Sequence, residues 1–429
     1  MTQPDSLRAR GSSTILKAAG YVDVDAGEIV RPGVITIEGD RIVSVGGADN
    51  SGSVGGEIPE GSEVIDLGDA ILLPGLMDME VNLLMGGRGE NPGLSQVQDD
   101  PPTRVLRAVG NARRTLGAGF TTVRNLGLFV KTGGYLLDVA LGKAIDAGWI
   151  DGPRIVPAGH AITPTGGHLD PTMFAAFMPG ALELTVEEGI ANGVDEVRKA
   201  VRYQIKHGAQ LIKVCVSGGV MSLTGEAGAQ HYSDEELLAI VDEAHRRGMR
   251  VAAHTHGAEA VKHAVACGID CIEHGFLMDD EAIQMLVDND RFLVTTRRLA
   301  EYMDVSKAPP ELQAKAAEMF PKARTSIKAA YEAGVKIAVG TDAPAIPHGK
   351  NADELVTLVD WGMPAAAVLR AATVVAAELI NVTDRGRLAE GQVADIIAVP
   401  GDPLADIRVT KEVNFVMKGG KVFRNDSTQ

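Results

Sequence analysis

Five polar residues stand at regular places along an otherwise aliphatic middle region. Lys213 lies inside the apolar run Leu211, Ile212, Val214, Cys215 and Val216. His254 and His256 close the run Val251-Ala252-Ala253, His274 follows Cys271-Ile272-Glu273, and Asp342 comes after Val339-Gly340-Thr341. Neutral imidazoles are good ligands for zinc and similar divalent metals. A metal lowers the pKa of bound water and polarises a carbonyl. A carboxylate beside it can take the water proton and pass it to a leaving group. Together these types can hydrolyse an amide-like bond.

Each residue also has an ordinary reading. A single His on a strand is more often a packed or surface residue than a ligand, a Lys read as buried is more often exposed, and an Asp after Gly-Thr is commonly a turn or a cap. Joint placement shifts the balance, because Lys, His, His and Asp fall on or just after the fourth, fifth, sixth and eighth of a series of strands. His245 and His263 fall on helical stretches and His207 ends one before Gly208, so these three read as solvated.

The elements that must position the five residues follow from periodicity. Short apolar runs near 71–79, 121–124, 154–158, 211–216, 250–254, 270–273, 292–296 and 336–340 read as eight strands, most followed by a helical stretch. Ser233-Asp234-Glu235-Glu236 opens one helix with a capping-box pattern, and Gly248 follows its end. Eight such units predict a (β/α)8 TIM-like barrel, whose site gathers at the C-terminal strand ends. Both chain ends read differently, as short strands with tight turns around a Gly/Ser-rich loop from Gly46 to Gly61. The expected fold is therefore α/β, with a small β-sandwich domain built from both termini (1–73 and 385–429) and a barrel over 74–384.

Composition limits the partners. The formal net charge is −16, with no run of Lys and Arg, which argues against duplex nucleic acid and anionic membranes. Cys215, Cys267 and Cys271 carry no Cys-x-x-Cys spacing and read as reduced thiols of a cytoplasmic protein. No secretory signal stands at the N-terminus and no apolar run reaches transmembrane length. The expected partner is a small-molecule substrate, in a homo-oligomer.

The segment Pro74-Gly75-Leu76-Met77-Asp78-Met79-Glu80-Val81-Asn82 resembles the first barrel strand of the metal-dependent amidohydrolase superfamily, which writes Pro-Gly-Leu-x-Asp-x-His-x-His here. Further matches are Thr121-Thr122-Val123-Arg124, Gly166-Gly167-His168, Ser217-Gly218-Gly219, His254-Thr255-His256-Gly257, Ile272-Glu273-His274-Gly275 and Gly340-Thr341-Asp342. The pattern is similar to the branch holding imidazolonepropionase-like proteins and Xaa-Pro dipeptidases. The resemblance implies metal ligation by Lys213, His254, His274 and Asp342, catalytic work by Asp342, Lys213 and His256, and substrate contacts from His168, Arg297, Arg298 and Tyr302. In two-metal members the first-strand histidines and the last-strand Asp hold one metal, and a carbamylated lysine bridges to the other. Here Glu80 and Asn82 replace both histidines. The resemblance then implies one divalent metal, with zinc expected first and cobalt or manganese as alternatives, and a bridge through Lys213 has less purpose. Glu80 is either an oxygen ligand or a carboxylate paired with a nearby cation, and Asn82 reads as a hydrogen-bonding residue.

Loss of the His-x-His pair resembles the bacterial hydrolases of phenylurea herbicides and molinate hydrolase. The leading expectation is a metal-dependent hydrolase of a urea, carbamate or anilide C–N bond. A dipeptidase of the same branch is the alternative; Arg297 or Arg298 would then receive the substrate carboxylate. A binding protein without catalysis is a third reading, opposed by the intact Lys-His-His-Asp set.

Overall fold

The computed structural model describes residues 13–46, 61–86, 98–170, 184–222, 225–303 and 305–426, with isolated positions 95, 172 and 182. Most of the Gly46 to Gly61 stretch, expected as a loop, and the N-terminal dozen residues lie outside the described residues. By contacts the chain forms two compact units. One takes the chain up to Met77 with Gly117–Thr121 and Pro364 onward, and the other takes Asp78–Leu116 and Thr122–Met363.

The first unit holds a four-stranded and a six-stranded sheet. Ile71–Pro74 pairs antiparallel with Ile396–Val399 and parallel with Gly20–Asp23, so N-terminal and C-terminal chain share one sheet. Leu16, Ile35, Ile37 and Ile42 of one sheet meet Leu72, Ile396, Phe415 and Met417 of the other in one buried cluster. Alternating apolar residues turned inward from both sheets make this a β-sandwich.

Eight parallel strands form the barrel, three in one sheet and five in the other. In order they are Leu76–Val81, Phe120–Asn125, Arg154–Pro157, Ile212–Cys215, Val251–Gly257, Cys271–Leu277, Phe292–Thr295 and Lys336–Val339. Two parallel bridges join the sheets into a ring: Val81 with Ala343 and Ile162 with Val214. The strands are buried along nearly their whole length, because helices cover the outside and side chains fill the inside.

One expected element divides. The run 71–79 is two strands, Ile71–Pro74 in the sandwich and Leu76–Val81 in the barrel. Pro74 has no N–H for a ladder, and a Cβ at Gly75 would collide with the Thr121 side chain. The capping box at Ser233 forms as expected: Glu236 N–H donates to Ser233 Oγ and the Glu236 carboxylate accepts from Ser233 N–H. His263 departs from expectation. Its side chain is only 10 % exposed and pairs with Asp234 at 2.9 Å, because a tertiary neighbour shields it. No described helix is long and apolar enough to cross a membrane.

Candidate active site

Strand register explains how the histidines converge. His254 and His256 are two residues apart on the fifth strand and share a face. His254 is opposite Glu273 and Thr255 is opposite His274 on the sixth strand. Simple alternation would thus turn Glu273 inward and His274 outward. A register shift between Thr255 and Gly257 and a left-handed backbone at His274 (φ 74°) bring His274 inward as well. Asp342 (φ 54°) and Leu169 (φ 62°) at the same cavity are also left-handed. Such conformations are costly for non-glycine residues and cluster at functional sites.

His254, His256 and His274 each offer a ligand atom, all within 4.8 Å of one another. The rings of His254 and His274 are 4.7 Å apart, and His168 stacks on His254 at 3.8 Å. Thr296 Oγ1 fixes His274 Nδ1 at 2.6 Å, and Ser222 Oγ fixes His168 Nδ1 at 2.9 Å. A Cβ on Gly219 would stand 2.8 Å from His254 Nε2, so the Ser217-Gly218-Gly219 backbone needs glycine there. Burial pushes His254 and His274 well below the usual histidine range, with the neighbouring histidines and Lys213 adding to it, and burial with Lys213 pushes His256 down to about 3. The imidazoles are therefore neutral and ligand-ready. Among the described residues, His254 Nε2 and His256 Nδ1 are buried with no hydrogen-bond partner, as are Glu80 Oε2 and Asn82 Oδ1. Orphaned buried polar atoms are rare in native proteins, and a site built to take a cation accounts for the nitrogens. The donor set fits a divalent metal.

The two substituted positions have definite partners. Lys213 Nζ donates to Glu80 Oε1 at 3.1 Å, and both side chains are buried. Burial works against the lysine charge, yet the Glu80 and Glu273 carboxylates outweigh it and hold the ammonium above the usual lysine range. Glu80 Oε1 is also 3.7 Å from His274 Nε2, at the edge of the histidine group. Asn82 Nδ2 donates to the Gly127 carbonyl at 3.1 Å. Burial pushes the Asp342 carboxyl up to about 7, with Lys213 opposing.

These groups border a cavity of about 320 Å³. Glu80, Asn82, His168, Lys213, His254, His256, His274 and Asp342 line it together with apolar residues such as Phe129, Met221, Phe276, Met303 and Phe320. Arg297, Arg298 and Tyr302 are not among its described lining residues. The Arg297 guanidinium lies over Trp361 at 5.0 Å and over the cavity-lining Phe320 at 5.6 Å, Arg298 pairs with Glu301 at 3.4 Å, and the Tyr302 hydroxyl donates to Asp353. Their backbone N–H groups at 297 and 298 are held by the buried Glu354 carboxylate at 2.9 and 2.7 Å.

Sequence reasoning missed several supporting groups. Arg124 Nη2 donates to both oxygens of Glu273 at 2.8 and 2.9 Å, a fully buried pair inside the barrel. Asp78 accepts from Thr341 Oγ1 at 2.6 Å and Asn351 Nδ2 at 2.7 Å, tying the first strand to the segment that carries Asp342. Arg124, Glu273 and Asp78 all sit inside motif segments already singled out, so charge inside an apolar run was the available signal.

Known proteins match over nearly the whole chain. The amidohydrolase family model matches residues 71–423. Ochratoxinase of Aspergillus niger is 34 % identical over 380 residues, 82 % of this chain and 76 % of that protein. A Xaa-Pro dipeptidase crystallised with methionine in its active site is 35 % identical and superposes with a TM-score of 0.86, covering 96 % of this chain and 100 % of that one. Phenylurea hydrolase B superposes with a TM-score of 0.76 over 96 % of each chain, but at 24 % identity it supports the fold alone. A buried histidine group at the strand ends of a barrel and a family match of this extent have one reading: the chain belongs to the amidohydrolase family, in the branch of Xaa-Pro dipeptidases and ochratoxinase.

Proposed function

We propose that this metal-dependent amidohydrolase cleaves the C–N bond of a small amide, anilide, urea or carbamate that carries a bulky apolar or aromatic group. One observation carries the reading: the cavity wall is mostly apolar, and Lys213 is the one Lys or Arg among its described lining residues. Apolar pockets with a few convergent polar groups select substrates by shape and orient them by those groups. A dipeptide would bring a carboxylate, and no arginine stands among these described lining residues to receive it.

His254, His256 and His274 would hold the metal. When bound, it supplies an acidic water and a Lewis acid for the carbonyl. Asp342 takes the proton of the attacking water, whose oxygen bonds to the carbonyl carbon. As the C–N bond breaks, Asp342 returns that proton to the leaving nitrogen. The Lys213 ammonium holds Glu80 in place, and His168 packs beside the substrate.

The likeness to a Xaa-Pro dipeptidase favours a second reading, dipeptide hydrolysis, and one assay separates the two. On a panel of aryl amides, anilides, phenylureas and Xaa-Pro dipeptides, kcat/KM is expected to be at least roughly tenfold higher for the best aryl substrate. One pocket contact is typically worth about that much. A preference for dipeptides would reverse the assignment.

Two further results are expected. Protein purified without added metal should carry about one tightly bound divalent ion per chain by elemental analysis, because the first-strand ligands are replaced. Two ions at the barrel mouth would sink the one-metal reading. The double variant Glu80→His with Asn82→His should gain capacity for another metal at the mouth and lose turnover on the native substrate. It removes the partner of Lys213, leaving a buried ammonium unpaired, and sets a second cation to compete for Asp342. Higher turnover with two metals would mean that the native pair is a decayed two-metal site.

A further inference from the structure

A second group of metal-ligating side chains lies away from the barrel mouth, on the helices flanking the fifth strand. His263 belongs to helix Ala258–Ala266, and Cys267 caps that helix one turn later, on the same face. Asp234 opens helix Asp234–His245. Asp234 Oδ1 is 2.9 Å and Cys267 Sγ is 4.0 Å from the same atom, His263 Nδ1. One ligand atom from each residue fits within 4.8 Å.

The separations suit a small cation. Tetrahedral zinc with ordinary bond lengths puts nitrogen and oxygen about 3.4 Å apart, and nitrogen and sulfur about 3.6 Å. The present 2.9 and 4.0 Å straddle these values, and shifts of roughly half an ångström reach them. The Asp234 side chain is 77 % exposed and pairs only across solvent-facing surface with His263, which is held at 10 % exposure. Gln230 Nε2 stands 3.1 Å from His263 Nε2. Gln230 Nε2 also donates to the Tyr232 carbonyl at 2.7 Å, so His263 Nε2 accepts from the amide and Nδ1–H donates to Asp234; a metal at Nδ1 displaces that proton.

We propose that Asp234, His263 and Cys267 form a peripheral site for a zinc-class divalent cation. One thiolate and one imidazole favour zinc, cobalt and cadmium over magnesium and calcium. Binding releases the thiol proton to solvent. The ion ties the helix before the fifth strand to the helix after it, and that strand carries His254 and His256. The site fills from added metal, so protein purified without it still carries about one ion per chain, at the barrel mouth.

Cobalt(II) titration of the whole protein tests the site through the ultraviolet charge-transfer absorption of a thiolate–cobalt bond. The band is expected to saturate at one cobalt per chain. It should vanish in Cys267→Ser, need roughly tenfold or more cobalt in His263→Ala and Asp234→Asn, and persist in His254→Ala. With excess zinc the wild type should bind one ion more than Cys267→Ser. No band in the wild type overturns the proposal. So does a band that survives Cys267→Ser, since Cys215 and Cys271 are the remaining thiols. Should Cys267→Ser fail to fold, His263→Ala decides alone: a titration unchanged from wild type overturns the site.

Discussion

Replacing His254 or His274 with Ala is expected to remove most of the bound metal and nearly all turnover. The two rings, with His256, are the neutral nitrogen donors gathered at the strand ends, and three protein ligands are typical of a catalytic metal site. Losing one leaves too few donors. Even a lost outer partner of a ligand costs about 10–100-fold in metal affinity or activity, and the ligand itself costs more. His256→Ala belongs with them, because its ring sits 4.7 Å from His254 and 5.0 Å from His274. Thr296→Val makes a graded companion: it keeps all three donors but frees His274 Nδ1, so a partial loss is expected. Metal content by elemental analysis, read beside a melting curve, checks the set. Full metal content in the His254 and His274 variants would refute the ligand assignment.

Asp342→Asn is expected to keep the fold and much of the metal while lowering kcat by at least ~10²-fold, the usual cost of a lost general base. The backbone favours this test. Asp342 has φ 54°, and Asn enters the left-handed region as readily as Asp, so the substitution adds no strain. The amide keeps the shape of the carboxyl but cannot accept a proton. Burial pushes the native carboxyl up to about 7, near the pH at which a base both accepts and returns a proton efficiently. The decisive measurement is kcat at matched metal content. Near-normal turnover would exclude the proton-transfer role.

Much of this protein is legible in local sequence. The eight barrel strands announce themselves as apolar runs between helical stretches, because strands buried on both faces are apolar at every position. Ser233 and Glu236 announce a helix start because capping depends on residues three apart. Lys213, His254, His274 and Asp342 are visible because polar residues inside or at the ends of such runs have few structural reasons to be there.

Other features depend on distance in sequence and could not be read from it. Glu80 and Lys213 are 133 residues apart, and only barrel closure brings the carboxylate to the ammonium. His274 faces the cavity through a register shift and a left-handed residue, whereas alternation alone would turn it away. Arg297 and Arg298 follow the seventh strand, and only the folded chain lays the Arg297 guanidinium over Trp361 and the cavity-lining Phe320 and pairs Arg298 with Glu301. His263 loses its solvent to Asp234 of another helix. Residue types and spacings therefore determined the barrel, the sandwich and the list of chemical groups, since those rest on local periodicity. The tertiary structure decided which groups meet, because a charge or a ring finds its partner only after the chain has closed on itself.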